Sequence, residues 1–349
     1  MSSRTNPIRF GILGAGMIAE YHAQAIRENQ DIGAELIAVA HYDSRRFASI
    51  EQAFGVPCMT QEELFAHAKI DAVCICTPSG QHASQAIASS EAGKHALVEK
   101  PMALSLSDAD SMIAAFSEKK LSLGVVFQRR MDPVFIKIRQ AISAGALGDL
   151  TVASVTIPYQ RTPEYYQQAS WRGTWKMDGG GVLINQGIHL IDLLVWFLGS
   201  PVGIQAYADT LQHSIEVEDS LAASLRFENG AMATVLATTT ASPGFPHRIE
   251  IFGTEGAIQV EGERVLRWNL ASPDYPAPQQ LNLESDQSAG AGGDPRGIQI
   301  TDHICMIRQF VEALQNKKSF NLDGTEGRRS LACVLGIYQA AGLLEKSEY

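Results

Sequence analysis

Short apolar runs alternate with amphipathic segments through the first third of the chain. We predict strands at Ile8–Leu13, Glu35–Ala40, Ala72–Thr77, Ala96–Glu99 and Leu121–Phe127. All but the last are followed by a helical segment, one of them headed by Ser105 and Asp108 in capping positions. Alternation of strand and helix is typical of βαβ units. The pattern therefore predicts an α/β fold, with a doubly wound parallel sheet over residues 1–128.

Beyond Gln128 the pattern changes to longer runs in which apolar and polar residues alternate. After a helix at Pro133–Ser143, we predict strands at Leu150–Tyr159, Ile204–Leu211, Ser220–Phe227, Ala231–Thr239, Arg248–Phe252 and Ala257–Val260. Asn229-Gly230 predicts a hairpin turn whose two central residues both have positive φ. A surface loop over Ala271–Gly297 and helices at Ile298–Asn316 and Thr325–Leu344 complete a second, α+β domain over residues 129–349.

Composition, net charge and cysteine spacing exclude several classes of protein. With 349 residues, 45% of them hydrophobic, the chain is long enough for two domains with buried cores. A net charge of -10 without a long basic run argues against nucleic acid as a partner. The five cysteines, Cys74 and Cys76 among them, lack the spacing of a zinc or redox pair and indicate reduced thiols. No apolar run approaches the ~18 residues of a membrane helix, so we expect no membrane association and a cytoplasmic location.

A glycine-rich turn joins the first predicted strand to the first predicted helix. The segment Gly14-Ala15-Gly16-Met17-Ile18-Ala19 has the form G-x-G-x-x-G/A, which in this context indicates dinucleotide binding. Gly14 allows the tight turn, Gly16 lets the backbone approach a pyrophosphate, and Ala19 permits close helix packing. The helix N-terminus then faces the phosphates.

The position that holds the adenosine ribose follows the second predicted strand. An acidic residue is expected there, about 20 residues after the glycines. The sequence instead reads His41-Tyr42-Asp43-Ser44-Arg45-Arg46, with Asp43 two residues after the ribose-facing His41. Arg45 or Arg46 either meets a 2′-phosphate or lies in solvent. The choice between NAD and NADP stays open, and the arginines favour NADP.

Lys100 follows a predicted strand within the tripeptide Glu99-Lys100-Pro101. The carboxyl ends of strands in such a sheet border the ligand crevice. Close to a positively charged nicotinamide, and partly desolvated, a lysine has its pKa lowered toward a working acid–base value. The alternative is an ordinary exposed lysine at a strand end.

Three consecutive glycines, Gly179–Gly181, lead into a helical segment that carries Asn185 and His189. Residues four apart share a helix face, so an amide and an imidazole lie together beside apolar leucines. A core histidine is the alternative, but the neighbouring amide and glycines favour a functional pair. Asp192 is expected to structure the helix. We predict no metal site, because His189-x-x-Asp192 supplies two ligands and no third.

These features together resemble one known family. The glycine fingerprint, Thr77-Pro78 with His82, Glu99-Lys100-Pro101 and the triple glycine before His189-x-x-Asp192 are similar to the glucose–fructose oxidoreductase / inositol dehydrogenase / rhizopine catabolism (Gfo/Idh/MocA) family over nearly the whole chain. The resemblance implies an N-terminal Rossmann domain and a C-terminal domain with a large, open-faced, mainly antiparallel sheet. That sheet often forms homodimer or homotetramer contacts. It also implies hydride transfer between NAD or NADP and a hydroxyl-bearing carbon of a sugar, cyclitol or sugar derivative.

The resemblance also implies roles for individual residues. Lys100 would hydrogen-bond the reacting hydroxyl and the nicotinamide ribose, and His189 would take the hydroxyl proton. Pro101 is expected to follow a cis peptide bond, and Trp171 and Arg172 are expected near the substrate, with a core position as the alternative for Trp171. The residues expected around the cofactor are Gly14, Gly16, Met17, Ile18, His41, Asp43, Arg46, Thr77, Pro78, His82, Glu99, Lys100 and Gln128.

Asn185 departs from the family pattern, since many relatives carry an aspartate there. An amide does not stabilise a protonated partner as a carboxylate does, but it donates and accepts hydrogen bonds to sugar hydroxyls. We therefore predict that Asn185 positions the substrate and that His189 and Lys100 share the proton. Two other functions are compatible with this fold. One is an NAD-dependent, redox-assisted glycoside hydrolase, and the other is a non-catalytic dinucleotide-binding sensor, which needs neither Lys100 nor His189.

Overall fold

The structure is a computed structural model that describes residues 6–278 and 300–344, and these residues divide into two compact units. The first unit contains residues 6–128 and 300–328, and the second contains residues 129–278 and 329–344. The chain leaves the first unit after residue 128, and the later segment 300–328 returns to it. In the part of the chain that is described, no helix combines the length and apolar character needed to span a bilayer.

The first unit is built on a parallel sheet. Its strands are β1 Ile8–Leu13, β2 Ala34–Ala40, β3 Cys58–Met59, β4 Ala72–Ile75, β5 His95–Val98 and β6 Leu123–Val125. Over the described residues their order is β3-β2-β1-β4-β5-β6, and every pairing is parallel. This is the strand order of a Rossmann fold, in which winding reverses between β1 and β4 and leaves a crevice at the carboxyl ends of the strands. The predicted parallel sheet is confirmed, and β3 is an addition that the sequence pattern missed.

Helices connect these strands in the predicted alternation. They are α1 Met17–Arg27, α2 Phe47–Phe54, α3 Gln61–Ala66, α4 His82–Glu91 and α5 Leu106–Lys119, with 3-10 turns at Gln30–Ile32, Ser44–Arg46 and Ser79–Gln81. Local chemistry fixes several of their ends. Ser105 caps α5 by accepting a hydrogen bond from the Asp108 N–H, as predicted, and Thr60 and Glu63 form a full capping box at α3.

The second unit contains the open-faced sheet. A 3-10 turn at Gln128–Met131 leads to its helices α6 Pro133–Ser143, α7 Pro163–Gln167 and α8 Ile188–Leu198, and a π-helix at Val182–Gly187 precedes α8. Its strands are β7 Leu150–Pro158, β8 Pro201–Asp209, β9 Ser220–Phe227, β10 Met232–Thr238, β11 Arg248–Gly253, β12 Gly256–Glu261 and β13 Arg264–Leu270. The order in the described chain is β13-β12-β11-β7-β10-β9-β8, antiparallel except for β7 with β10. The mainly antiparallel sheet is confirmed.

The hairpin between β9 and β10 differs from the predicted turn. Gly230 has a φ of 87°, whereas Asn229 is not among the residues with positive φ. The Gly230 N–H donates to the Phe227 carbonyl, and the Phe227 N–H donates to the Ala231 carbonyl. This is a three-residue loop in which a type I turn is followed by a left-handed glycine. The expectation of two positive φ values was wrong, because Asn229 occupies the ordinary third position of the turn.

Two helices, α9 Ile300–Gln315 and α10 Gly324–Ala340, follow near the end of the chain. Phe310 of α9 packs against Phe10 of β1, with ring centroids 6.5 Å apart, and the Asn29 side chain donates to the Ile304 carbonyl. These apolar and polar contacts explain why residues 300–328 belong to the first unit instead of the second. The predicted loop over Ala271–Gly297 lies outside the described residues from position 279 onward.

Candidate active site

The glycine-rich turn has the geometry that the fingerprint requires. Gly14 has a φ of 101°, and a Cβ there would lie 2.7 Å from the Cys76 carbonyl oxygen, so only glycine fits. At Gly16, the N-cap of α1, a Cβ would meet nothing within 4 Å among the described residues. The fold itself therefore gives no packing reason for this second glycine. Open space beside a helix N-terminus suits a bound phosphate. Ala19 is fully buried, as close packing of α1 requires.

The segment after β2, where the adenosine ribose is expected, contains a histidine, an aspartate and two arginines. The Asp43 carboxylate binds the Arg45 guanidinium through two contacts of 2.8 and 2.9 Å, and the Arg45 side chain holds the pKa of Asp43 below its usual value. His41 accepts the Asp43 N–H at Nδ1, and the Arg46 guanidinium lies 3.3 Å from its Nε2. Asp43 is thus engaged by Arg45, and Arg46 is the cation beside His41.

His82 joins two loops at the carboxyl edge of the sheet. Its Nδ1 lies 2.8 Å from the Pro101 carbonyl and its Nε2 lies 2.8 Å from the Thr77 carbonyl. Burial lowers the pKa of His82, and the two carbonyls partly offset that effect. The Thr77 hydroxyl donates to the Gln85 side chain, and Pro78 caps the 3-10 turn that follows. His82 therefore fixes the loop after β4 against the tripeptide after β5.

Glu99 and Lys100 stand at the end of β5, and the peptide between Lys100 and Pro101 is cis, as expected. The buried Glu99 carboxylate lies 2.9 Å from His22 Nε2 of α1, and its other oxygen accepts the Lys100 N–H at 3.2 Å. Burial raises the pKa of Glu99. The hydrogen bond and the charge of His22 lower it by more, so the net shift of the pKa is downward. Lys100 itself is half-buried. Glu99 thus holds the backbone that presents Lys100.

His303 of α9 completes a buried cluster with His22 and Glu99, whose ligand atoms all lie within 4.8 Å of one another. These side-chain types also bind metals. The 2.9 Å contact between His22 and Glu99 is, however, the length of a charge-assisted hydrogen bond. We therefore describe the cluster as a buried ion pair beside a second imidazole.

Gln128 marks the end of the first segment of the first unit. Its side chain is buried, and its Oε1 has no hydrogen-bond partner among the described residues. A buried amide oxygen without a donor is costly. An external donor such as a carboxamide or ribose hydroxyl would satisfy it.

In the second unit, the triple glycine is held by a buried carboxylate. Glu218 accepts the Gly181 N–H at 2.7 Å, the Leu183 N–H at 3.0 Å and the Tyr338 hydroxyl at 2.7 Å. A Cβ on Gly181 would collide with the Glu218 backbone carbonyl, and one on Gly180 would collide with the Tyr338 ring. The glycines are thus required by the approach of two other elements. Burial raises the pKa of Glu218 to about 7, although its hydrogen bonds act in the opposite direction.

The helix that follows begins as a π-helix, a local irregularity often found at functional sites. Asn185 and Gln186 lie on it, and His189 is the second residue of α8. All three side chains are half-buried. The Asn185 side-chain amide donates to Asp178 Oδ1 at 3.2 Å. Asp178 also accepts the Gly173 N–H, so a carboxylate is present beside the amide after all.

Trp171 and Arg172 lie in the loop between α7 and the triple glycine. The Arg172 guanidinium stacks on Trp171 and on Tyr165, and its Nη1 donates to the Tyr165 hydroxyl at 3.0 Å. The Gln186 side chain reaches the same hydroxyl at 3.3 Å. Arg172 and Gln186 therefore share the Tyr165 hydroxyl as a hydrogen-bond partner, whereas Asn185 binds Asp178.

Asp192 has the structural role that was expected of it. Arg130 binds its carboxylate through contacts of 2.8 and 2.7 Å, and the Ser330 hydroxyl donates to it at 2.7 Å. All three side chains are buried. Asp192 thus ties α8 to α10 and to the turn before α6.

Several residues of these two groups escaped the sequence interpretation. His22 lies three residues after Ala19, on the face of α1 that must pack on the sheet, so helical periodicity could have predicted its burial. Asp178 directly precedes the triple glycine, and this position in the motif could have indicated a role for it. Tyr165, Gln186 and Glu218 carried no local signal, because contacts distant in sequence define their roles.

Comparison with known proteins identifies the chain as a nicotinamide-dependent oxidoreductase and gives its family. Residues 8–127 match a family described as "Oxidoreductase family, NAD-binding Rossmann fold", and residues 135–259 match the "GFO/IDH/MocA C-terminal domain". The chain belongs to the GFO/IDH/MocA family of oxidoreductases.

Three relatives show how far the similarity extends. Inositol 2-dehydrogenase of Rhizobium meliloti (strain 1021) is 32% identical over 93% of this chain and 94% of its own. The 1,5-anhydro-D-fructose reductase of Ensifer adhaerens is 31% identical over 97% and 98%. The crystal structure of the WlbA dehydrogenase from Bordetella pertussis, in complex with NADH and UDP-GlcNAcA, is 32% identical over 97% of each chain, with a TM-score of 0.85.

Proposed function

We propose that this enzyme transfers hydride between a nicotinamide dinucleotide and a CH–OH or C=O carbon of a sugar, cyclitol or sugar derivative. The observation that carries the proposal is the set of groups at the carboxyl edge of the parallel sheet. There, the open space at Gly16, the buried oxygen of Gln128 and Lys100 follow β1, β6 and β5. The three relatives named above act on or bind inositol, an anhydro-sugar and a sugar nucleotide.

The residues present fit a nicotinamide dinucleotide. Gly14, Gly16, Met17 and Ile18 would hold the pyrophosphate at the N-terminus of α1, and His41 would face the adenosine ribose. Thr77, Pro78, His82 and Gln128 would line the nicotinamide half. When bound, the dinucleotide accepts or donates the hydride.

The chain's own residues then handle the proton. Glu99 accepts the Lys100 N–H, and His82 contacts the Pro101 carbonyl, so both position Lys100. Lys100 then donates a hydrogen bond to the reacting hydroxyl. Asn185 and Trp171 position the sugar. As the alcohol becomes a carbonyl, His189 takes the hydroxyl proton and shares this role with Lys100, because an amide replaces the carboxylate of many relatives at position 185.

For the cofactor we propose a preference for NADP over NAD. The ribose-facing position carries His41 in place of a carboxylate, and Asp43 is engaged by Arg45. Arg46 beside His41 is then the cation that would meet a 2′-phosphate.

A panel of sugars, cyclitols and glycosides tests the proposal, with NAD and NADP in parallel and turnover followed at the nicotinamide absorbance. We expect net reduction or oxidation with at least one polyol or sugar. Lys100→Ala and His189→Ala should each lower kcat by about 100-fold or more, while the exposed Lys69→Ala leaves it unchanged. Full turnover in both active-site variants would contradict these roles. Cleavage of a glycoside without net change in the cofactor would instead indicate the redox-assisted hydrolase.

We also propose that the enzyme is a cytoplasmic homodimer or homotetramer that associates through the open sheet. Apolar side chains lie in rows on its exposed face. Val152 is 43% exposed and pairs with Met232 on one side and Phe252 on the other, 50% and 42% exposed. Such a patch is typical of a subunit interface.

The cysteines of the chain are free thiols, which suits the reducing environment of the cytoplasm.

A further inference from the structure

Two guanidinium groups lie on one tyrosine ring in the second unit. The Cζ atoms of Arg161 and Arg172 are 5.2 and 4.6 Å from the centroid of Tyr165. Arg161 also lies 5.7 Å from the Tyr159 ring, and Arg172 lies 4.9 Å from Trp171. Each stacking contact is favourable, but two like charges held on one ring repel each other. The arrangement therefore brings two guanidinium groups together around one aromatic ring.

Arg172 has no carboxylate within ion-pair distance among residues 6–278 and 300–344. Its Nη1 donates to the neutral Tyr165 hydroxyl, and its buried Nε lacks a hydrogen-bond partner in the same part of the chain. Three other arginines of this unit do bind acids, in the pairs Arg129–Glu263, Arg130–Asp192 and Arg248–Glu261. Arg172 thus keeps donor capacity for an external anion.

The neighbouring acids are engaged elsewhere. Asp178 accepts the Gly173 N–H and the Asn185 amide, and Glu216 accepts the Trp175 N–H. The exposed Glu164 forms a hydrogen bond with the Thr162 hydroxyl, which lowers the pKa of this carboxyl. None of these three carboxylates neutralises Arg172.

Tyr165, on which Arg161 and Arg172 lie, also binds a residue next to the candidate substrate-positioning residue Asn185. The Tyr165 hydroxyl receives hydrogen bonds from both Arg172 and Gln186, at 3.0 and 3.3 Å. Gln186 is the neighbour of Asn185 on the π-helix, and His189 follows on α8. Asn185 is therefore the sequence neighbour of a residue that shares a hydrogen-bond partner with Arg172.

We propose that Arg161, Tyr165, Trp171 and Arg172 form a subsite for an oxyanion carried by the substrate, so that the substrate class is an acidic sugar derivative. A guanidinium offers paired N–H donors that match a carboxylate or a phosphate, and the aromatic faces suit the C–H surface of a sugar. This inference rests on the proposed function, since it concerns the same site.

Matched ligand series test the subsite. Glucose and galactose are compared with the corresponding uronates and 6-phosphates, by calorimetric binding in the presence of reduced cofactor and by turnover. We expect at least one acidic member to exceed its neutral parent by at least about tenfold in Kd or kcat/KM. The uronate and phosphate arms show which oxyanion is preferred.

Variants assign that selectivity to the subsite. Arg172→Gln should reduce the acidic-to-neutral ratio by about tenfold or more, Arg172→Lys should retain part of it, and the exposed Arg226→Gln should leave it unchanged. Circular dichroism of each variant shows whether the fold is kept.

The two proposals fail in different ways. Equal binding of acidic and neutral members, or a ratio unaffected by both Arg172 variants, would overturn the subsite even if neutral sugars turn over well. Selective, Arg172-dependent binding without any turnover would support the subsite and contradict the oxidoreductase mechanism.

Discussion

At the scale of single residues, the site depends on side chains that hold others in place. His22 pairs with Glu99, and Glu99 accepts the N–H of Lys100. The pKa of Glu99 is lower in the folded protein than its usual value. The carboxylate therefore contributes to stability at pH values above the usual pKa, and this contribution is lost as the pH falls through the lowered pKa of the folded state. The ion pair thus belongs to the native state at neutral pH.

Replacing His22 removes the partner of a buried carboxylate. We expect His22→Ala to lower the free energy of unfolding by about 3–5 kcal/mol, because the charge of Glu99 is left buried and unpaired. Urea unfolding at neutral pH measures this loss. His22→Gln keeps an amide donor and should lose less, and equal stability of His22→Ala and wild type would show that the pair contributes nothing.

Arg46 provides a second prediction at this scale. Arg46→Gln should weaken NADPH binding by about tenfold while changing NADH binding much less, because only NADPH carries the 2′-phosphate. Fluorescence titration of both reduced cofactors gives the two Kd values. Arg45→Gln is the matched control, since Arg45 is bound by Asp43. Tighter binding of NADH than of NADPH in the wild type would contradict the proposed preference.

At the scale of elements, the π-helix before α8 is determined by contacts distant in sequence. Glu218 and Tyr338 bind the N–H groups of Gly181, Leu183 and Ile184. Periodicity predicts a helix here but not its π geometry, because that depends on residues far along the chain. The sequence pattern also missed the edge strand β13, because Val265 is its one buried residue and the alternation in Arg264–Leu270 is therefore weak.

The carboxyl of Glu218 gives this element a pH dependence. Its pKa is raised from 4.5 to about 7, so its contribution to stability is complete below about pH 4.5 and is lost as the pH rises through about 7. Over that interval we expect this group to lower the free energy of unfolding by about 3 kcal/mol. Glu218→Gln should flatten the profile, as measured by denaturant unfolding at several pH values. An unchanged slope would contradict the raised pKa.

The triple glycine gives a steric prediction for the same element. Gly181→Ala should destabilise the protein by about 1–3 kcal/mol or more, because the new Cβ collides with the Glu218 carbonyl. Gly203→Ala is the control, since a Cβ there would be 3.8 Å from its nearest neighbour. Thermal melts of the two variants should differ clearly, and similar melting temperatures would refute the steric account.

At the scale of the whole molecule, the sequence predicts the fold class but not the full division of the chain. Strand and helix alternation defines the parallel sheet, and β1 has the predicted bounds. The return of α9 to the first unit depends on contacts such as Phe310 with Phe10, which no local pattern reveals. The candidate residues divide in the same way: Gly14, Lys100 and His189 stand in recognisable motifs, whereas Tyr165 and Gln186 are brought beside Arg172 by the fold alone.

Association through the open sheet is the prediction that belongs to this scale. Leu236 and Tyr207 flank Ala222 on neighbouring strands and are 51% and 86% exposed. Leu236→Glu should shift the mass in light scattering toward the 37.8 kDa monomer, because a carboxylate is costly in an apolar interface. Leu211→Glu, in an exposed loop, is the control. A wild-type chain that is already monomeric would exclude this interface.

Isotope transfer is the most direct test of hydride transfer between substrate and cofactor. The substrate is a sugar or cyclitol that the enzyme converts, with deuterium on the reacting carbon. It is incubated with the enzyme and the oxidised dinucleotide, and the reduced cofactor is analysed by mass spectrometry. We expect the deuterium to be recovered on the nicotinamide ring, with one label for each carbonyl formed. Carbonyl formation without label on the cofactor, or a cofactor that stays oxidised with every substrate that binds, would contradict hydride transfer.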